Sequence, residues 1–408
     1  MPLITLGKAL GNRKMPHTSD ASPVSFYRPG RIGPILFIAL LFFLTFIARV
    51  ILSPLMPSIE SEMRISHGQA GAMFFLLSIG YFLALMSSGF LSAKITHKYT
   101  IVSSVIIVGF ALVAIAAGRG IFSLRAAVFF LGMASGLYLP SGITTLTDMV
   151  EQKHWGKAVS IHELAPNLGF VAAPLMTEIL LLWFSWQLVP GALGAVCICT
   201  GLLFARFGKW GRFSGRPPGV FAIKQVLSHK SFWIMVLLFG VAISSTMGLY
   251  TMLPLYLVND IGITRPLANT LIACSRTAGL ASALISGWAT DRFGARRTIM
   301  CALALTGVST LMLAAASSTA AAAVWVFLQA ALATVYFPAG FAALSSLFAA
   351  DIRNVAISFT IPFAFVFGGG IVPSIIGLLG DLGSFSTGFA ATGGLILAGS
   401  MLPLKLKL

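Results

Sequence analysis

The chain has 408 residues, of which 57% are hydrophobic and only 9% are charged, and it carries a formal net charge of +16. Ordinary soluble domains are about a quarter charged. This composition therefore excludes a typical soluble protein and indicates a chain that lies largely in a membrane. All four cysteines lie in apolar stretches, so we interpret them as packing residues rather than as disulfide partners or metal ligands.

The first element in chain order is a tail. Residues 1–31 are polar and basic, with no apolar core before a small-residue cleavage site, so they are predicted to form a cytoplasmic tail rather than a signal peptide. An apolar run of roughly 20 residues is long enough to span the hydrocarbon core. Twelve such runs follow the tail, near residues 34–57, 69–93, 99–118, 122–147, 156–183, 187–207, 232–258, 265–289, 297–316, 321–349, 353–380 and 385–404.

The twelve runs form two groups of six. A polar, linker-like stretch separates the groups, and its end could form a short amphipathic helix on the inner membrane surface. We predict a six-helix bundle at 32–207, a cytoplasmic linker at 208–231, a second six-helix bundle at 232–404 and a cytoplasmic C-terminus at 405–408.

An internal repeat agrees with this division. The segment YLPSG at 138–142 returns 198 residues later as YFPAG at 336–340, and the same offset carries Gly89 onto Gly287. Landmarks that recur at one spacing indicate a duplicated unit. In a membrane chain, duplication predicts a transporter whose substrate site lies where the two halves meet.

The basic residues are distributed unevenly along the chain. If the N-terminus is cytoplasmic, 21 of the 27 lysines and arginines fall on the cytoplasmic side. This asymmetry follows the positive-inside rule and predicts that both termini are cytoplasmic. The net positive charge is then explained by membrane topology, and a nucleic-acid partner is not expected.

The stretch between predicted helices 8 and 9 reads GWATDRFGARR. It resembles the signature loop of the major facilitator superfamily, Gly-x-x-x-Asp-Arg-x-Gly-x-Arg-Arg. The corresponding loop of the first half keeps Gly89 but has Ala93 where the acid stands. The resemblance implies an all-α membrane protein, with twelve helices in two pseudo-symmetric six-helix bundles that work by alternating access. The matching residues, predicted to act in conformational change, are Gly287, Asp291, Arg292, Gly294, Arg296 and Arg297.

Two arginines lie deep inside apolar spans. A charge at the membrane centre costs ~2.5–3.5 kcal/mol on insertion scales, so Arg49 and Arg276 each need a reason to be there. The family resemblance places both towards the central cavity, one from each half. Two guanidinium groups can hold a carboxylate, sulfonate or phosphate through bidentate contacts. The alternative is that each arginine pairs with a buried glutamate or with backbone carbonyls and only holds helices together.

Glu163 follows His162 in predicted helix 5. A partly desolvated carboxyl beside a histidine can accept and release a proton, so this pair is the candidate for proton coupling. A structural tie to the basic inner loops is the alternative. Glu178, near the outer end of the same helix, is interpreted as a rim residue.

Five further polar residues are candidates for substrate contact. The resemblance places Tyr138 and Tyr336 on cavity-lining helices 4 and 10, where their hydroxyls could bind a ligand, although helix packing beside the repeated prolines explains them equally well. Asn167 is a weaker candidate, as are Tyr250 and Gln329.

These observations predict a secondary transporter that moves a small organic anion across the cytoplasmic membrane, coupled to protons. Its expected partners are the anion, protons and the lipid bilayer, and a monomer is the default for this architecture. No nucleotide-binding motif, zinc-ligand spacing or catalytic dyad is present in the sequence, so no cofactor, metal or enzymatic activity is expected. Inorganic anion exchange, drug-type efflux and a non-transporting scaffold or sensor remain as alternatives.

Overall fold

A computed structural model describes residues 29–215, 217 and 219–406. Most of the predicted tail, residues 1–28, and the last two residues lie outside the described part of the chain. Within it the structure is helical, and we number the twelve long helices α1 to α12 in chain order.

The first half contains six long helices. Two of them, α2 and α3, follow each other without a loop in the segment His67–Ala117. Non-helical backbone angles at Thr96 (φ 74°, ψ 161°) separate the two helices. The bounds are α1 Pro29–Val50 continuing as Leu52–Met63, α2 67–95, α3 97–117, α4 Ile121–Asp148, α5 Trp155–Leu181 and α6 Leu188–Phe207.

The second half repeats this order, with short π-helical turns inside α7 and α11. A linker helix, Val220–Ser228, precedes it. The bounds are α7 Lys230–Ile243, Ser244–Gly248 and Leu249–Asn259; α8 Arg265–Phe293; α9 Ala295–Ala314; α10 Thr319–Thr334 and Tyr336–Leu347; α11 Ala350–Phe365, Val366–Ile371 and Val372–Asp381; and α12 Phe385–Gly399.

The predicted twelve-helix architecture is confirmed for the described residues. Ten helical segments are long and apolar enough to cross a membrane. One of them is the run that is broken at Thr96 and supplies both α2 and α3. Helix α8, with 29 residues, is less apolar because it carries several charged side chains, and it completes the set.

The duplicated segments have the same packing in both halves. In α4 the ring of Tyr138 lies against Gly142, where an added Cβ would meet the ring carbon Cε1 at 2.7 Å. In α10 the ring of Tyr336 lies against Gly340 with the same 2.7 Å approach. A tyrosine can cover its own helix in this way only if the residue one turn later has no side chain. The repeat therefore encodes a packing unit.

The linker packs against the joint between α2 and α3. Its backbone accepts hydrogen bonds from the amides of His97 (to Phe213 O, 3.1 Å) and Lys98 (to Gly211 O, 2.7 Å). The amide of Gly215 donates to the Ser92 carbonyl at 3.0 Å. The first-half loop, which lacks the signature acid, is thus held by the linker backbone.

Candidate functional site

Arg49 lies near the middle of α1 and is only 7% exposed. Its guanidinium carbon is 5.0 Å from the ring centroid of Phe46, 4.4 Å from that of Tyr81 and 5.7 Å from that of Phe365. It makes no ion pair with any described residue, and its buried Nε has no hydrogen-bond partner there. Aromatic faces stabilise the cation but do not use its N–H donors.

Arg276 lies in α8 and is 6% exposed. Its guanidinium carbon is 4.9 Å from the ring centroid of Phe170 and 4.8 Å from that of Tyr250. One terminal nitrogen contacts the Thr246 carbonyl at the limiting distance of 3.5 Å, and Nε has no partner among the described residues. Among the described residues, Arg276 therefore shares the environment of Arg49: aromatic faces and no acidic partner.

Aromatic rings connect the two arginines. The ring centroids of Phe46 and Phe170 lie 5.1 Å apart, and the adjoining steps to the two guanidinium carbons are 5.0 and 4.9 Å. The two guanidinium carbons therefore lie within about 15 Å of each other. Because Phe170 also packs on Tyr250 of α7, at 4.8 Å, the cluster lies where the two halves meet.

We call the face where α1 begins and α12 ends the terminal face, and the opposite one the distal face. A cavity of about 790 Å³ between the halves lies on the terminal side and is lined by residues from both. Tyr81 and Phe365 pack across the halves at 4.8 Å, one helical turn beyond the cavity-lining Leu85 and Ile361. These two rings therefore lie between Arg49 and the cavity.

Glu163 lines this cavity and its side chain is half exposed. Its Oε1 lies 3.4 Å from Nδ1 of the fully buried His162. The His162 ring stacks on Phe42 at 4.2 Å, and its Nε2 lies 3.3 Å from the Tyr138 hydroxyl. A titratable pair that reaches from the cavity into the first half is therefore present. Its role in proton coupling stays a prediction.

The predicted substrate-contact residues Tyr138, Tyr336 and Asn167 differ in whether their polar groups have partners within the protein. The Tyr138 hydroxyl donates to the Ile38 carbonyl at 2.6 Å, and Tyr138 is fully buried. Tyr336 is 1% exposed, and its hydroxyl has no partner among the described residues. Asn167 donates to the Glu163 carbonyl at 3.0 Å. For Tyr138 this geometry favours the packing role that the sequence left open, whereas the roles of Tyr336 and Asn167 in substrate contact stay predictions.

Gln329 has a clear structural role. Its side-chain amide donates to the Ser245 carbonyl at 2.7 Å. That carbonyl belongs to the π-helical turn of α7, as does the Thr246 carbonyl that Arg276 contacts. A π turn shifts the regular hydrogen bonds of a helix and leaves carbonyls for other donors. The turn therefore joins α7 to α8 and α10 beside the arginine cluster.

The signature loop lies on the terminal face. Gly294 has φ 82°, a left-handed conformation that favours glycine, and it separates α8 from α9. Arg296 donates to the Leu406 carbonyl, while the guanidinium of Arg292 lies 5.9 Å from the ring of Trp288. Asp291 and Arg297 are exposed, and an added Cβ at Gly287 would meet open space.

The distal face is closed by contacts between the halves. Arg265 of α8 holds Glu178 of α5 through two hydrogen bonds of 3.0 and 3.2 Å, and it also donates to Ser58 at 2.9 Å. Asn269 adds a 2.6 Å hydrogen bond to Glu178. Glu178 is therefore part of an interface between the halves. We call these contacts of Arg265 the distal latch.

Sequence reasoning missed the aromatic rings that surround the arginines and, apart from Glu178, the acidic groups of the distal face. One signal was available: Phe46 precedes Arg49 by three residues, and such residues share a helix face. No local pattern indicated the other rings, because they come from α2, α5, α7 and α11.

The family model of the Major Facilitator Superfamily matches residues 38–275 and 237–407. The chain belongs to this superfamily. It is therefore a membrane transporter and not an enzyme, as the sequence predicted.

Two curated relatives are similar in sequence. The probable nitrate transporter NarT of Staphylococcus haemolyticus (strain JCSC1435) is 23% identical over 342 residues, which cover 83% of each chain. The probable sulfoacetate transporter SauU of Cupriavidus necator (strain ATCC 17699 / DSM 428 / KCTC 22496 / NCIMB 10442 / H16 / Stanier 337) is 26% identical over 170 residues, covering 42% of this chain and 40% of that protein.

Solved structures share the fold. A bacterial homolog of the human lysosomal transporter Spinster, in an inward-facing and occupied conformation, has a TM-score of 0.75 at 15% identity, covering 93% of this chain and 95% of that one. The nucleoside transporter NupG (D323A mutant) has a TM-score of 0.75 at 12% identity, covering 92% of this chain and all of that one (100%). At these identities the likeness shows the fold alone.

Proposed function

We propose that the protein is a secondary transporter that carries a small organic anion, of the carboxylate or sulfonate type, by alternating access. Arg49 and Arg276 bind the anion between the two halves, and Glu163 with His162 couples transport to protons. The observation that carries the proposal is a pair of buried guanidiniums, one from each half, with no acidic partner among the described residues.

A purely structural role accounts less well for this arrangement. A buried charge is strongly destabilising unless it is paired and hydrogen-bonded. The only hydrogen bond to either side chain in the described residues is the 3.5 Å contact from Arg276 to a carbonyl. An oxyanion seated between the arginines would accept the unused N–H donors in strong charge-assisted hydrogen bonds. The ligand completes a site that the protein leaves unsatisfied.

The curated relatives support an anionic substrate, because their names specify nitrate and sulfoacetate. The nitrate transporter matches along 83% of its length, and this coverage favours an inorganic oxyanion as a second candidate. Two features favour an organic anion. Aromatic rings surround both guanidiniums, and much of the cavity lining is apolar, including Leu85, Ile143 and Ile357. Such surfaces suit the carbon skeleton of an organic anion better than a fully hydrated inorganic ion.

Uptake of radiolabelled sulfoacetate, acetate, nitrate and phosphate into proteoliposomes, with and without a pH gradient, tests the proposal. Arg49→Gln and Arg276→Lys should each raise KM at least ~10-fold, because losing a bidentate charge-assisted contact costs ~1.5–3 kcal/mol. Arg206→Gln removes an arginine that lies outside the site, at the end of α6, and serves as the matched control. Normal affinity in either site variant would show that the arginine is structural. Preference for nitrate over the organic anions would select the second candidate.

The proposed orientation places the terminal face in the cytoplasm of a cell whose cytoplasmic membrane the protein spans as a monomer. Single cysteines at the exposed positions Ser61 and Thr264 on the distal side should react with an impermeant maleimide added outside whole cells. One at exposed Ser214, in the linker, should not. The four native cysteines are first replaced by serine. If only the cysteine at position 214 reacts from outside, the protein has the opposite orientation in the membrane.

A further inference from the structure

A carboxylate of one half caps a helix of the other at the distal face. Asp381, at the end of α11, accepts hydrogen bonds from the Ser66 hydroxyl at 2.8 Å and the Gly68 amide at 3.0 Å. These groups form the N-terminus of α2, where negative charge is favoured by the free amides and the helix dipole. The packing is close, since an added Cβ at Gly68 would meet the Asp381 carboxylate at 2.7 Å. This contact can exist only while the distal face is closed.

A second acid lies beside this cap. Glu60 of α1 is 9% exposed, and its Oε2 lies 2.8 Å from Nδ1 of His67. Its other oxygen, Oε1, is buried and has no hydrogen-bond partner among the described residues. The His67 ring contacts Phe385 of α12, with centroids 4.7 Å apart. Glu60 and Asp381 interact electrostatically with each other.

The charges in this cluster do not balance when the face is closed. The cluster contains the carboxyls Glu60 from α1 and Asp381 from α11, and its one titratable base is His67 from α2. Two other acids lie near this packing. Glu62 of α1 accepts a hydrogen bond from the Gln187 side-chain amide and lines a separate pocket with Arg64. Asp260, at the end of α7, accepts from the amide and hydroxyl of Ser386 within its own half. The distal latch differs, because there a guanidinium, that of Arg265, is paired with the Glu178 carboxylate.

We propose that Glu60, His67 and Asp381 form a proton-binding site that stabilises the closed distal face. Closure brings two carboxylates from opposite halves together around one imidazole. One added proton relieves their repulsion and removes the negative charge from the buried Glu60 carboxyl. When the face opens, Asp381 moves away from the other two groups and the extra proton is held less tightly. By linkage, acid on the distal side then favours closure, and rising pH releases it.

This site is separate from Glu163 and His162, which lie on the terminal side of the arginines. The inference rests on the alternating access of the proposed function but not on the identity of the anion. It assigns a proton site on each side of the arginine cluster, and only the distal one bridges the two halves.

Distances between spin labels at Leu182 and Leu382 test the proposal without any substrate. These residues directly follow α5 and α11 on the distal face and are 71% and 82% exposed, so labels there should not disturb packing. The pH is varied from about 5 to 8.5 in the cysteine-free protein, with the latch weakened by Arg265→Gln if the open population is too small to measure. The ratio of open to closed protein should rise by up to ~10-fold per pH unit where the site titrates.

Glu60→Gln keeps the size and hydrogen-bonding ability of the side chain, and Asp381→Asn keeps an oxygen to cap α2. Each should abolish the pH dependence of the distance distribution. Asp260→Asn is the matched control, since this acid lies on the same face without crossing the interface, and it should respond as the wild type does. An unchanged pH response in Glu60→Gln and Asp381→Asn, or a wild-type distance that ignores pH, would overturn the proposal. A pH-dependent distance in a protein that moves no anion would instead overturn the proposed function and leave the proton site standing.

Discussion

Replacing Arg265 by glutamine should shift the protein towards a state that is open at the distal face. Arg265 makes three hydrogen bonds from the second half to the first: two to Glu178, at 3.0 and 3.2 Å, and one to Ser58, at 2.9 Å. All three must break when the halves separate there. None of them touches the arginine cluster.

The size of this shift follows from how far the Arg265–Glu178 ion pair is buried. Hydrogen bonds to charged groups contribute ~1.5–3 kcal/mol, whereas a fully exposed ion pair contributes ~0–1 kcal/mol. The Arg265 and Glu178 side chains are 30% and 17% exposed, which places the pair between these limits. Losing the latch should therefore cost the closed state about 2 kcal/mol, or roughly 30-fold in the equilibrium. A population that is ~1% open would become roughly a quarter open.

The same spin-label pair at Leu182 and Leu382 measures this population. Glu178→Gln and the double variant complete a mutant cycle, in which the double variant should open little more than Arg265→Gln alone, because both remove one interaction. Arg119→Gln, at an exposed distal arginine within the first half, is the matched control. Unchanged distances in Arg265→Gln, or additive effects of the two single variants, would refute a latch between these side chains.

Three further outcomes are expected. Gly142→Ala should lower the melting temperature in detergent, because the added methyl would lie 2.7 Å from the Tyr138 ring and overpacking costs ~1–3 kcal/mol of stability. Gly394→Ala is the control and should leave the melting temperature unchanged, because its methyl meets open space. Glu163→Gln should abolish pH-driven accumulation but leave counterflow intact, since exchange needs no proton release; undiminished accumulation would exclude this residue from coupling. Tyr81→Leu removes a ring 4.4 Å from the Arg49 guanidinium carbon. It should raise the KM for uptake by ~3–30-fold, which corresponds to the free energy of one cation–π contact. An unchanged KM would show that the ring does not support the anion site.

The amino-acid sequence alone determined the architecture. Twelve apolar runs, a repeat at a spacing of 198 residues and the signature loop at 287–297 were sufficient to predict the fold and the superfamily. These signals are local: span length depends on bilayer thickness, and the left-handed turn at Gly294 depends on the absence of a side chain. The two arginines could be selected as candidates for a similar reason, because a charge inside an apolar run is costly wherever the helix is packed.

The partners of those side chains depended on the tertiary structure. Arg49 has rings from α1, α2 and α11 around it, and only the ring three residues before it is a neighbour in sequence. From the sequence, the Tyr138 side chain could equally have faced the cavity or the neighbouring helices. The rotation of α4 placed its hydroxyl within hydrogen-bond distance of the Ile38 carbonyl. Asp381 caps a helix that begins 315 residues earlier in the chain, near Ser66. Contacts of this kind depend on how the two halves dock and how each helix is rotated, and neither hydrophobic length nor local spacing carries that information.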